Sequence, residues 1–449
     1  MKINRKIFRE YDIRAIYQED LKGDLPYFLG LAFGSYINRK NLKNACVGGD
    51  NRLTTPEIKE KLIKGILQTG IDVIDIGIVP TPLLYFSVKF YKYCSGIMVT
   101  ASHNPPEFNG FKMVVGDSSL YGEEIKKIAD MIEKQDFERG EGKFEKKDVI
   151  DDYINFMIER FKFNKKLKVG IDTGNGTCGP LIEKLFKKLG IEFVGLYMES
   201  DPNFPNHLPD PVVPENLNDL IEIVKKYNLD CGLGFDGDGD RLGVIDDKGN
   251  ILWGDQLLIL YSREILKKNK GAKIIFDVKC SKSLEEEIEK SGGIPIIWKT
   301  GHSLIENKLH QEKAPIAGEL SGHLYFADQY FGFDDAIYSS LRLLRILDSE
   351  DKKLSQLFEG VKKYYSTPEI RIEVGDEKKF EIVEKVKSFY ENKYKINDID
   401  GVKVYYPYGW ALLRASNTQP VLVVRIEAET ENELEIIKEE FMNVIEKFK

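Results

Sequence analysis

Three stretches of the chain repeat one alternation of apolar and polar positions. Ala45-Cys-Val-Gly-Gly-Asp50 is a short apolar run ending in aspartate. Apolar residues then recur at helical spacing (Ile58, Leu62, Ile63, Ile66, Leu67), and after Gly70 a second short run begins, Asp72-Val-Ile-Asp-Ile. The order returns from Lys168 with Asp172, a helix around Leu181 to Leu189, Gly190 and Ile191-Glu-Phe-Val. It returns again from Lys273 with Asp277, a helix around Leu284 to Ile288, Gly292-Gly293 and Ile294-Pro-Ile-Ile. Strand, helix, glycine turn, strand is the βαβ unit, which implies largely parallel sheets with helices on both faces. Three such units predict three similar α/β domains with mixed, largely parallel sheets.

The last stretch follows another pattern. Glu369 to Val374 alternates like a strand, and Lys378 to Tyr394 reads as an amphipathic helix. Val402 to Tyr406, Trp410 to Leu413 and Val421 to Glu427 read as antiparallel strands, and Glu431 to Phe448 as a closing helix. This predicts a smaller C-terminal α+β domain that acts as a lid or clamp. The expected domains are 1–148, 149–250, 251–362 and 363–449, which suits 449 residues at roughly 100–150 residues per domain.

Composition narrows the function classes. A net charge of -8 argues against general nucleic-acid affinity, so a bound anion needs local basic groups. The five cysteines are scattered and form no C-x-x-C pair, which speaks against a disulfide framework or zinc knuckle and for a reducing cytoplasm. The N-terminus is polar, without the apolar core of a signal peptide, and no run approaches a membrane span.

The strongest chemical signal is Asp236-Gly-Asp238-Gly-Asp240-Arg241 between two apolar runs. Alternation along an extended chain would point the three carboxylates to one side, and the glycines would let them converge. Clustered carboxylates call for a cation, and oxygen-only ligation favours a hard ion such as Mg²⁺, a common partner of phosphate. A simple turn needs one Asp-Gly, and a calcium loop needs Gly and Glu where Arg241 and Asp247 stand.

Other loops collect small and polar residues. Thr100-Ala-Ser102-His103-Asn104-Pro-Pro106 follows a strand, and the chain is expected to turn at Asn109-Gly110 and leave on Phe111 to Val115. Ser102 would sit near the crown, with His103 and Lys112 as candidate activators and a divalent cation as a stronger one. Thr300-Gly301-His302-Ser303 and Gly318-Glu319-Leu320-Ser321-Gly322-His323 lie in the third domain. On an extended loop Glu319 and Ser321 face one ligand, and a carboxylate with a hydroxyl suits sugar hydroxyls. Of five histidines, three (His103, His302, His323) fall in these loops. Arg414-Ala-Ser416-Asn417-Thr418-Gln-Pro420, with Arg425 beyond, has the donors of a phosphate nest. Gly174-Asn-Gly176-Thr-Cys-Gly179 matches a dinucleotide fingerprint, but it occupies the turn that recurs without glycines after Asp50 and Asp277, so architecture explains it better than NAD.

Taken in order, these motifs, with Phe8-Arg-Glu-Tyr11-Asp-Ile-Arg14 at the start, resemble the α-D-phosphohexomutase family, in particular its phosphomannomutase/phosphoglucomutase branch, over essentially the whole chain. The resemblance implies four domains around a deep central cleft and an enzyme that interconverts hexose 1- and 6-phosphates of mannose and glucose. It implies a phosphoryl group on Ser102, Mg²⁺ held by Asp236, Asp238, Asp240 and that phosphoserine, and glucose 1,6-bisphosphate as activator. Glu319 and Ser321 would read the sugar hydroxyls, and Arg414, Ser416, Asn417, Thr418 and Arg425 would clamp the second phosphate. Tyr11, Arg14, Arg241, Lys279, His302 and His323 match cleft-lining positions, and His103 and Lys112 match residues beside the phosphoserine. Lys112, His302 and Arg14 are the candidates for acid–base work. A bisphosphate that turns over between the two ends implies motion of the fourth domain. Leu320 and Asn417-Thr418-Gln419 stand where phosphoglucosamine mutases typically carry G-E-Q-S-G-H and S-G-T-E-P, which favours the hexose branch. From other classes, a sugar-phosphate sensor without catalysis and an NAD-dependent oxidoreductase remain as alternatives.

Overall fold

The computed structural model describes residues 2–116, 118–375, 377–416 and 421–449. Each predicted βαβ unit is present. Asn44–Gly49, the helix Thr55–Leu67 and Asp72–Ile78 form the first, Lys168–Asp172, Gly179–Leu189 and Glu192–Leu196 the second, and Lys273–Asp277, Lys282–Lys290 and Ile294–Trp298 the third. The two strands of each unit pair in parallel. The aspartate ending each first strand caps the turn behind it: Asp50, Asp172 and Asp277 each accept from the backbone N–H two residues on, at 3.1, 2.8 and 3.1 Å. The glycine closing each unit takes positive φ (+82° at Gly70, +72° at Gly190, +81° at Gly292), which a side chain would resist.

The repeat extends further than the pattern indicated. Beside the first strand of each unit lies a third parallel strand, Ser95–Val99, Cys231–Phe235 or Ile316–Gly318. Each then reverses into an antiparallel strand, Phe108–Val115, Leu242–Ile245 or Leu324–Phe326. The Ser102 loop, the three-aspartate loop and the Glu319 loop are therefore the same reversal in three copies. Ile13–Ile16 adds antiparallel to Phe108–Val115.

Several expectations change in detail. Asn109-Gly110 is not a turn: the chain reverses at Pro106-Glu107, and both residues lie inside Phe108–Val115. Gly110 is small because the strand carrying Arg14 crosses there; a Cβ would stand 2.0 Å from Ile13 O. Ile251–Leu252, expected to open the third domain, instead completes the second sheet against Leu242–Ile245. The helix from Lys378 ends at Tyr390 rather than Tyr394, since Tyr394 turns back to pack on Tyr406 (ring centroids 4.7 Å apart) and Lys395–Asn397 pairs with Val402–Tyr406.

One continuous apolar core joins all three α/β domains, running from Ile74, Phe86 and Met98 through Tyr153, Val169 and Leu233 to Ile274 and Phe326. The C-terminal sheet keeps a core of its own, against its helices Lys378–Tyr390 and Glu431–Phe448. Its other face meets the third domain through a small cluster of Val278, Trp410 and Leu412. Lys403 is buried beside this cluster, donating to Val278 O at 3.0 Å and lying 3.9 Å from the Trp410 ring centroid. Among the described residues no helix is long and apolar enough to cross a membrane.

Candidate active site

The three-aspartate loop converges, though not by alternation along an extended strand. Asp236 Oδ1 accepts from the backbone N–H groups of Gly239, Asp240 and Arg241 at 3.0, 3.0 and 3.1 Å, folding the loop into a tight turn around one carboxylate oxygen. Ligand oxygens of Asp236, Asp238 and Asp240 then lie within 4.8 Å of one another, all buried, in an arrangement that could hold a metal ion. Among the described residues, Asp238 Oδ1 and Asp240 Oδ1 are buried without a hydrogen-bond partner.

The first domain supplies the surroundings. Asp238 Oδ2 accepts from Thr81 Oγ1 (2.6 Å), Thr100 Oγ1 (3.2 Å) and Lys112 Nζ (2.9 Å), and Lys112 also binds Asp240. Burial opposes charge on all these groups. Even so, Lys112 holds Asp240 well below the usual carboxylate range, while Asp238 and Asp240 hold Lys112 well above that of an ordinary amine. Asp236 lacks such a partner, so burial and the charges of Asp240 and Asp238 push its carboxyl well up.

Ser102 faces this cluster. It is buried and left-handed, with φ +52°, and its Oγ donates to Asp236 Oδ2 at 2.8 Å with His103 Nδ1 at 3.0 Å. Burial and then Arg241 hold His103 well below the usual imidazole range, so it is neutral at pH 7. Behind the three-aspartate loop stands the glycine-rich turn. Thr177 donates to Gly237 O through both its N–H (2.9 Å) and its hydroxyl (3.0 Å). A Cβ at Gly176 would meet Gly237 O at 2.8 Å, and one at Gly179 would meet Met198 O at 1.9 Å. These glycines serve backbone packing, which removes the basis of the NAD reading.

The third domain closes in from the far side. Glu319 to Gly322 is a β-turn (Gly322 N–H to Glu319 O, 3.0 Å), not an extended loop; Glu319 is buried and Ser321 half-buried. Glu319 carboxylate accepts from Gly301 N–H, and burial raises its carboxyl. His302 is buried, with no partner at Nε2 among the described residues, and burial, then Lys112, lower its imidazole to about 3. Its ring lies 6.0 Å from those of Tyr11 and His323. Tyr11 hydroxyl donates to Thr300 O at 2.7 Å, joining the first and third domains. Arg14 binds Asp12 (2.7 Å) and Asn104 (2.6 Å). Arg241 Nε donates to His323 Nε2 at 2.9 Å.

Of the fourth-domain residues, Arg414 binds Asp400 Oδ2 through Nε and Nη2, both at 3.0 Å. Ser416 N–H pairs with Val421 O, and Ser416 O accepts from Lys379 at 2.7 Å. Arg425, two residues past the Val423 that faces Arg414, points to the same side of the sheet. Asn417 and Thr418 lie outside the described residues. Lys279 Nζ stands between Asp277 and Glu369, 3.8 Å from each. Two residues escaped the sequence reading: Asp334, which binds His323, and Arg52, which grips the Ser102 loop. An arginine two residues after a strand-ending aspartate was the available sign for the latter.

The four domains match, in order, the phosphoglucomutase/phosphomannomutase alpha/beta/alpha domains I (residues 5–139), II (151–249) and III (253–364) and the C-terminal domain (369–444). The chain belongs to this family. It is 45% identical to the phosphomannomutase/phosphoglucomutase of Pseudomonas aeruginosa, over 97% of this chain and 95% of that protein. It is 41% identical to a phosphoglucomutase of Neisseria gonorrhoeae over 99% and 97%. The crystal structure of a phosphoglucomutase/phosphomannomutase family protein from Burkholderia thailandensis superposes with a TM-score of 0.94 at 40% identity, covering 99% and 98% of the two chains. Family membership fits the three matched reversals, which bring a serine, three carboxylates and a Glu-His loop to one place.

Proposed function

We propose that the protein interconverts hexose 1-phosphates and hexose 6-phosphates of glucose and mannose through a phosphoryl group on Ser102. The observation that carries this reading is Ser102 Oγ, 2.8 Å from Asp236 within the carboxylate cluster. The phosphoryl bond to Ser102 Oγ breaks as a bond to the free sugar hydroxyl forms, and the hydroxyl proton leaves. A hexose 1,6-bisphosphate results; after it reverses in the cleft, Ser102 Oγ takes the other phosphoryl.

Mg²⁺ is the metal proposed for Asp236, Asp238 and Asp240: the donors are all oxygen, and Asp238 Oδ1 and Asp240 Oδ1 are buried with no hydrogen-bond partner among the described residues. When bound, it supplies positive charge against the phosphoryl oxygens. Lys112 carries further charge at the same point. His302 is the proposed group for moving the hydroxyl proton, because it is neutral and its Nε2 has no hydrogen-bond partner among the described residues, whereas Lys112 and Arg14 are held by carboxylates. Glu319 and Ser321 are the proposed sugar contacts. Arg414, Ser416, Asn417, Thr418 and Arg425 are proposed for the phosphate that does not react, with Tyr11, Arg241, Lys279 and His323 lining the cleft between. The separate core and small docking patch of the C-terminal domain support its motion in each turnover. Hydrogen exchange in that domain that is identical with and without sugar phosphate would count against such motion.

The deciding experiment is a mutase assay with Mg²⁺ and a trace of glucose 1,6-bisphosphate, on glucose 1-phosphate, mannose 1-phosphate and glucosamine 1-phosphate, with Ser102→Ala as control. Turnover of the first two, lost in the variant, is expected. Turnover of glucosamine 1-phosphate alone would move the chain to another substrate, and full activity in Ser102→Ala would end the phosphoserine reading.

A further inference from the structure

The geometry points to Arg52 as a positioning residue of the proposed reaction, one that holds the Ser102 loop in the shape presenting Ser102 Oγ to the carboxylate cluster. The inference rests on the phosphoserine reading above. Arg52 follows the strand Asn44–Gly49, and its side chain is fully buried. A guanidinium has five N–H donors in a rigid fork, and here all five are spent. Nε donates to Asp50 Oδ2 at 3.0 Å. Nη1 donates to Pro105 O (2.5 Å) and Phe108 O (3.1 Å), and Nη2 to Ser102 O (2.8 Å) and Asn104 O. Four carbonyls of one loop, from its crown to its exit strand, thus converge on one side chain.

That loop needs holding. Ser102 sits at φ +52°, a region that a residue with a Cβ occupies only when its surroundings enforce it. Ser102 O is fixed from two sides: Arg52 Nη2 donates to it, and the backbone of Gly237, in the three-aspartate loop, passes so close that a Cβ there would stand 2.5 Å away. Fixing the carbonyl fixes the turn, and the turn aims Oγ at Asp236. Asp50 orients the fork and also accepts from the N–H of Ala101 at 3.3 Å, the residue before the serine. Arg52 makes no contact with the reacting atoms, so its effect should fall on the rate of phosphoryl transfer and not on sugar binding.

The test compares wild type, Arg52→Lys and Asp50→Asn in the mutase assay on glucose 1-phosphate, with thermal unfolding as a check of folding. A lysine keeps the charge but has one nitrogen, which cannot span four carbonyls. Arg52→Lys should lower kcat about a hundredfold, the cost of a small misplacement of a reacting group. KM should stay within about threefold, because ground-state binding is untouched. Asp50→Asn, which keeps size and weakens the charge-assisted bond, should lower kcat about tenfold with the same split. If Arg52→Lys fails to fold, Asp50→Asn decides. Variants that fold and keep kcat within twofold of wild type, or that lose activity through KM alone, would overturn the inference. An inactive wild type would overturn the mutase reading instead.

Discussion

Asp334 Oδ2 lies 2.8 Å from His323 Nδ1, and this contact decides what the other side of the ring can do. Since Arg241 Nε–H donates to His323 Nε2 at 2.9 Å, Nε2 carries the lone pair and Nδ1 carries the proton that goes to Asp334. Burial holds the imidazole down at about 4, so the ring stays neutral near pH 7 and the arrangement persists.

Asp334→Asn offers Nδ1 an amide in place of a carboxylate, which allows the opposite tautomer and turns an N–H toward Arg241. We expect kcat/KM to fall about tenfold, equivalent to about 1.4 kcal/mol of lost transition-state stabilisation, with the fold intact. Nitrogen chemical shifts of His323 would report the tautomer directly.

His302 is held at about 3 against an ordinary 6.5. The folded protein therefore binds fewer protons here than the unfolded chain between about pH 3 and 6.5, so this group's contribution is lost as pH falls through that window. His302→Gln should flatten the loss of stability on acidification, measured by urea unfolding at a series of pH values. An unchanged slope would rule this out.

Glu306 gives the opposite sign. It accepts from Ser119 Oγ at 2.7 Å across the first and third domains, and burial pushes its carboxyl up from 4.5 to about 7, with the charge of Asp334 adding. The folded state binds the extra proton, so stability falls as pH rises from about 4.5 through 7. Glu306→Gln should match wild type at low pH and exceed it by up to about 3 kcal/mol above pH 8.

Gly110→Ala should be among the most damaging single-methyl additions. Its Cβ would stand 2.0 Å from Ile13 O, within the pairing that carries Arg14. We expect a loss above about 2 kcal/mol, read from the melting temperature, together with reduced mutase activity.

Much of this architecture was legible from periodicity because the three βαβ units bury similar faces, and the apolar runs at residues 45–49, 168–172 and 273–277 show it. The Asp236–Asp240 cluster and Ser102 were legible because their chemistry is local. What sequence did not reveal depends on partners distant along the chain. Arg52 acts on carbonyls of residues 102 to 108, which leave no mark on residue type. Asp334 was masked by Asp335, whose side chain caps the helix Ala336–Ser349 and gives the pair an ordinary explanation. The carboxylates converge as expected, but the loop is tighter than alternation along an extended chain suggests, because three backbone amides donate to one Asp236 oxygen.

Asp400 Oδ2 receives both Arg414 and the N–H of Thr300, whose carbonyl is held by Tyr11. Arg414, proposed above as a phosphate contact, thus already holds an anion, the Asp400 carboxylate. On that proposal, an incoming phosphate competes with a singly charged carboxylate, a contest suited to a dianion and not to chloride. Thr300, two residues before His302, leans on the same carboxylate, so an exchange at Arg414 would reach the backbone beside that histidine.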